Sequence, residues 1–90
     1  MIDNKVKCEV LSIKDNANCC PGSTKMRKGE YFIIGNRTPE GMCCRVFHAV
    51  FPVVFAMRFS DSLGWEKEDG SIEITCPDSF VVYKLTRVKN

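Results

Sequence analysis

The chain has no C-x-x-C pair, a single histidine and no apolar run long enough to cross a bilayer, and each shortage removes a class of protein. Without C-x-x-C, the commonest zinc and dithiol modules are excluded. A bilayer span needs roughly 18 consecutive apolar residues. Here the longest apolar stretch, within Thr38 to Phe59, is interrupted by Arg45, His48 and Arg58. The opening MIDNKVKCEV meets charge before an apolar signal region can form, so a cytoplasmic chain with reduced thiols and no membrane partner is expected. A net charge of +2 is too small an excess to imply a nucleic-acid partner. No repeat or low-complexity segment is visible. Gly22-Ser23-Thr24-Lys25 lacks the G-x-x-x-x-G-K-S/T order that wraps amides around a phosphate, and Lys25, Arg27 and Lys28 make a basic patch with no stacking aromatics beside it. Glu66, Glu68 and Asp69 lack the glycine-punctuated spacing of a calcium loop and read as a solvated acidic loop.

What remains describes one small domain, residues 1–90, with 44% hydrophobic residues. A core of that size is modest, and a metal, a disulfide or a second subunit would add to its stability. The centre of the chain is Thr38–Phe59. Thr38 suits an N-cap, Pro39 the first helical position and Glu40 the positive end of the dipole, so a helix is expected to start there. Met42, Cys43, Val46, Phe47, Val50, Phe51, Val54 and Phe55 cover most of its circumference, which predicts a largely buried helix. Pro52 removes one donor and crowds the preceding turn, predicting a kink or break.

Strands flank it. Val6, Cys8 and Val10 alternate with Lys7 and Glu9, and then Leu11 and Ile13 change parity, the mark of a bulge. Tyr31–Ile34 is apolar throughout, as in a short strand covered on both faces. Ile72, Ile74 and Cys76 share one side of a third strand, and Phe80–Val88 is rich in β-branched and aromatic residues. Asp15–Ser23, ending in C-C-P-G, and Pro77-Asp78 read as turn and strand break. The order β, β, α, β, β predicts an α+β domain: a small antiparallel, curved or barrel-like sheet with one kinked central helix.

The chemistry-bearing residues are Cys8, the pairs Cys19-Cys20 and Cys43-Cys44, Cys76 and His48. Adjacent cysteines leave the backbone in different directions, so one of each pair at most serves a given ion. Cys20, one of Cys43 or Cys44, Cys76 and His48 would complete a Cys3His set of the kind zinc accepts. Cys44 and His48 are i, i+4 and share a helix face, whereas Cys43 and His48 lie roughly 140° apart around it. Cys43 instead sits where a helix N-terminus would favour a thiolate.

The segments C-P-G at Cys20, K-G-E-Y-F from Lys28, T-P-E-G-M-C from Thr38, F-H-A-V-F-P from Phe47, A-M-R-F from Ala56, W-E at Trp65 and C-P-D at Cys76 together span nearly the whole chain. In this combination the sequence resembles a family of small uncharacterised bacterial and archaeal proteins. That family's usual pattern reads C-P-x-G-H, V-G-D-x-F, T-P-x-G-I-C, F-H-A-L-Y-P, A-L-R, P-W-E and C-P-D. The resemblance implies that Cys20, Cys43, His48, Trp65 and Cys76 are the shared positions, with Cys8, Cys19 and Cys44 particular to this chain. It departs at Ser23-Thr24, where the family often has histidine, and at Gly64, where proline usually precedes the tryptophan. No activity comes with it.

Three functions follow as expectations. One is a metal-binding domain with zinc or iron on Cys20, Cys43, Cys76 and His48. The second is a thiol-dependent redox protein or enzyme using Cys43. The third is an interaction module or homodimer whose cysteines are structural, because so small a domain cannot cover all the apolar surface of its helix.

Overall fold

A computed structural model of the protein describes residues 3–13, 28–42, 44–76 and 81–88. Four strands and one helix follow in the expected order: β1 (Lys5–Ile13), β2 (Tyr31–Ile34), α1 (Cys44–Arg58), β3 (Ile72–Thr75) and β4 (Val81–Val88). All pairs are antiparallel, in the spatial order β2-β1-β4-β3. This is the α+β class read from the sequence, a small antiparallel sheet with one helix, and the sheet is not closed. Among the described residues β2 and β3 are the edge strands, and the helix carries the chain from one edge to the opposite one. The turn at 15–23, Pro77-Asp78 and Phe80 lie outside the described residues.

The parity change in β1 is a bulge. Val10 pairs with Tyr83 and Ser12 with Val82, leaving Leu11 as the extra residue. Before it Val6, Cys8 and Val10 point inward, and after it Ile13 packs against the same core. One inserted residue therefore lets both halves of a nine-residue strand keep an apolar face on the core.

Helix α1 lies over the two central strands, β1 and β4. Val46, Val50, Val54 and Met57 interlock with Val6, Cys8, Val81, Tyr83 and Leu85. Cys76 joins this core just past β3, on the side its alternation predicted. Burying such side chains contributes about 1.5–3 kcal/mol each.

Three helix expectations need correction. The helix begins at Cys44, not Thr38. Glu40 and Gly41 form a turn in which Gly41 has φ +83°, a conformation no helical residue adopts, so Thr38 and Pro39 precede a reversal of the chain. The helix also runs unbroken across Pro52. Pro52 is solvent-exposed, so the carbonyl of His48 that loses its partner can turn to water. Finally, the helix is not buried all round: Phe51, Phe55 and Phe59 are 45%, 52% and 40% exposed. One sheet covers one face of a helix and no more.

The same limit corrects the reading of β2. Ile34 is buried, but Tyr31 and Ile33 on the other face are exposed, because no second layer covers the outside of the sheet. That outer face is otherwise polar and paired. Lys7 lies 3.7 Å from Glu9 and over the Tyr31 ring, and Lys84 lies 3.4 Å from Asp69, while Lys67 bonds Glu73. Among the described residues no helix is long and apolar enough to cross a membrane.

Candidate functional site

Successive helical residues advance by about 100°, so the positions opposite Val46, Val50 and Val54 are Cys44, His48, Phe51, Phe55 and Phe59. All five are exposed. The rings form a ladder continued inward by half-buried Phe47. Centroids are 5.5 Å apart for Phe47 and Phe51, 5.9 Å for Phe51 and Phe55, and 5.1 Å for Phe55 and Phe59, the last edge-on. Such i, i+4 contacts hold each ring against its neighbour and fix the ladder without help from the core. The only charged residues of α1 are Arg45 and Arg58. Arg58 is nearly buried, donating from Nη2 to Asp3 at 3.0 Å and to Asn36 at 2.6 Å, with its guanidinium 4.8 Å over the Phe59 ring.

The C-terminal end of the helix is clamped to the sheet. Arg87 of β4 donates through Nε to the carbonyls of Met57 at 3.0 Å and Ser60 at 2.8 Å, and through Nη2 to Ser60 Oγ at 3.0 Å. Asn4 donates its backbone N–H to the Arg58 carbonyl at 2.7 Å. Carbonyls that a helix end leaves without partners are thereby satisfied. Arg87 also forms an ion pair with Glu66, whose Oε1 accepts the Leu63 N–H at 3.1 Å as well. The ladder thus stands on a helix secured to its own sheet.

The acidic loop is solvated as expected at Glu68 and Asp69, which are exposed, but not at Glu66. Glu66 is in the buried ion pair. Asp69 accepts from the Ser71 hydroxyl at 2.6 Å and the Ser71 N–H at 3.0 Å. Those bonds, the hydroxyl's first, with a smaller effect from Lys84, lower the Asp69 carboxyl below its ordinary value. Beside them opens a polar cleft of about 510 Å³ reached by Asp61, Leu63, Glu66 and Thr86. A second, of about 460 Å³, lies between Lys5, Ile33 and Arg37.

Of the sequence-derived ligand candidates, Cys20 and Cys43 lie outside the described residues. His48 is exposed on the outer helix face, and Cys76 is 5% exposed in the core on the inner side. The structure does not bring these two together. Cys44, the alternative helix thiol, is exposed on the same face as His48. Cys8 is fully buried, and desolvation pushes its thiol up to about 12. Among the described residues no three histidine, cysteine or acidic side chains are grouped to hold a metal. Trp65 is 60% exposed.

Sequence reasoning expected uncovered apolar surface on the helix but did not find which residues carry it. The signal was present: valines at 46, 50 and 54 and phenylalanines at 47, 51, 55 and 59 are two parallel series, and a single sheet can cover only one. No family model matches the chain, and neither does any curated protein or solved structure.

Proposed function

We propose that this domain is an interaction module that self-associates through the outer face of α1. The observation that carries the reading is the contrast between the two solvent-facing sides of the molecule. The outer face of the sheet exposes Tyr31 and Ile33 at its β2 edge among paired lysines and acids. The outer face of the helix carries aromatic rings and no acid.

Magnitudes favour a weak, reversible pair. At roughly 200 Å² per phenylalanine, the exposed fractions leave on the order of 250–300 Å² of ring surface in water. Two copies would remove about twice that, worth roughly 14 kcal/mol at 25 cal/mol per Å². Association itself costs about 4–15 kcal/mol. The surplus is a few kcal/mol, which puts the expected Kd in the millimolar to micromolar range. The face carries no acid and is flanked by exposed Arg45 and by Arg58 over the Phe59 ring, and a two-fold pair satisfies both aromatic stripes at once.

Sedimentation velocity over a hundred-fold range of concentration tests this. Wild-type protein should pass from monomer to dimer, and Phe55→Lys should remain monomeric with an unchanged far-ultraviolet dichroism spectrum. A wild type that stays monomeric throughout, or a Phe55→Lys variant that dimerises equally well, would overturn it.

A further inference from the structure

The outer face of α1 holds half of a metal site. Cys44 and His48 are both exposed, one turn apart on one side of the helix, which is the spacing by which a helix offers two ligands to one ion. A thiolate and an imidazole are two of the four ligands of tetrahedral zinc. Among the described residues no acid, cysteine or histidine completes the set within the chain. Cys8 and Cys76 are shut in the core.

The spacing of the face indicates where the other half comes from. Cys44, His48, Phe51 and Phe55 succeed one another at steps of four, three and four residues. That is the heptad alternation of a helix–helix seam, and in a parallel pair each layer sets a residue against its own counterpart. A parallel two-fold pair therefore sets Cys44 against Cys44 and His48 against His48 in neighbouring layers, with the phenylalanines stacked below. An antiparallel pair would set the ligands against the phenylalanine end of the other copy.

We propose that two copies pair in parallel along α1 and that Cys44 and His48 of both chains bind one zinc ion as a Cys2His2 site. The inference rests on the self-association proposed above. On binding, each thiol releases its proton to solvent and coordinates as thiolate, and each imidazole coordinates as the neutral ring. No electron changes hands. The ion converts a weak aromatic contact into a tight one and fixes its orientation, since only the parallel arrangement assembles four ligands.

The test is zinc titration of metal-free protein, read by sedimentation velocity and by elemental analysis of the isolated dimer, on wild type, Cys44→Ser, His48→Ala and Phe55→Lys. The expected result is one zinc per two chains and dimerisation tightened roughly a hundredfold or more. Cys44→Ser and His48→Ala, each compared with its own metal-free self-association, should lose the zinc effect. Cobalt in place of zinc should give the visible spectrum of two sulfur and two nitrogen ligands. One zinc per chain, or zinc retained after Cys44→Ser, overturns the site. A metal-free dimer indifferent to zinc overturns the site alone and leaves self-association standing. A monomer with and without zinc overturns both.

Discussion

Arg87 Nη2 meets Glu66 Oε1 at 2.6 Å, with 5% and 7% of the two side chains exposed. This is a buried ion pair between β4 and the loop that follows α1, and the same guanidinium bonds two carbonyls at the helix end. Removing one member leaves the other charged and covered, which typically costs 3–5 kcal/mol. Arg87→Met and Glu66→Gln should each destabilise the fold on urea denaturation, Arg87→Met by about 3 kcal/mol or more. The double variant should lose less than the sum. Strict additivity would mean that the two groups do not act as a pair.

Cys8 gives the stability curve an alkaline limb. Its thiol ionises at 9.0 in the ordinary case and only at about 12 in the folded core. The neutral thiol's contribution is therefore fully present below pH 9.0, and it is lost as pH rises toward about 12, where the unfolded chain alone is ionised. The slope approaches about 1.4 kcal/mol per pH unit within that window. Cys8→Val should flatten the decline, measured as denaturation midpoint against pH. An unchanged slope would contradict the burial of this thiol.

Gly41 sets the start of the helix. Its φ of +83° is closed to most side chains, and a Cβ there would meet nothing within 4 Å, so the penalty for substitution is purely conformational. Gly41→Ala should cost about 1 kcal/mol and Gly41→Asn less, because asparagine tolerates the left-handed region. Equal stability of all three would place the turn elsewhere.

Local signals carried most of the fold. The alternation of Val6, Cys8 and Val10 and its slip at Leu11 gave β1 with its bulge, and Ile72, Ile74 and Cys76 gave the inward face of β3. The helix start was misread because Thr38, Pro39 and Glu40 satisfy every local rule for an N-terminus, while Gly41 overrides them through a dihedral that composition does not reveal. The site was harder to see. That Phe51, Phe55 and Phe59 lie outside, and that Glu66 lies inside against Arg87, depends on how many layers the domain has, and this is a tertiary fact. Cys44 and His48 were legible as an i, i+4 pair. Their exposure was not.

The most direct measurement is a dilution series of amide spectra on isotopically labelled metal-free protein, following every backbone resonance from the dimeric to the monomeric range. Changes concentrated at Cys44, His48, Phe51, Phe55 and Phe59, with the outer sheet face silent, are the predicted result. Changes centred on Tyr31 and Ile33, or none at any concentration, would contradict the claim that the outer face of α1 is where this protein meets its own copy.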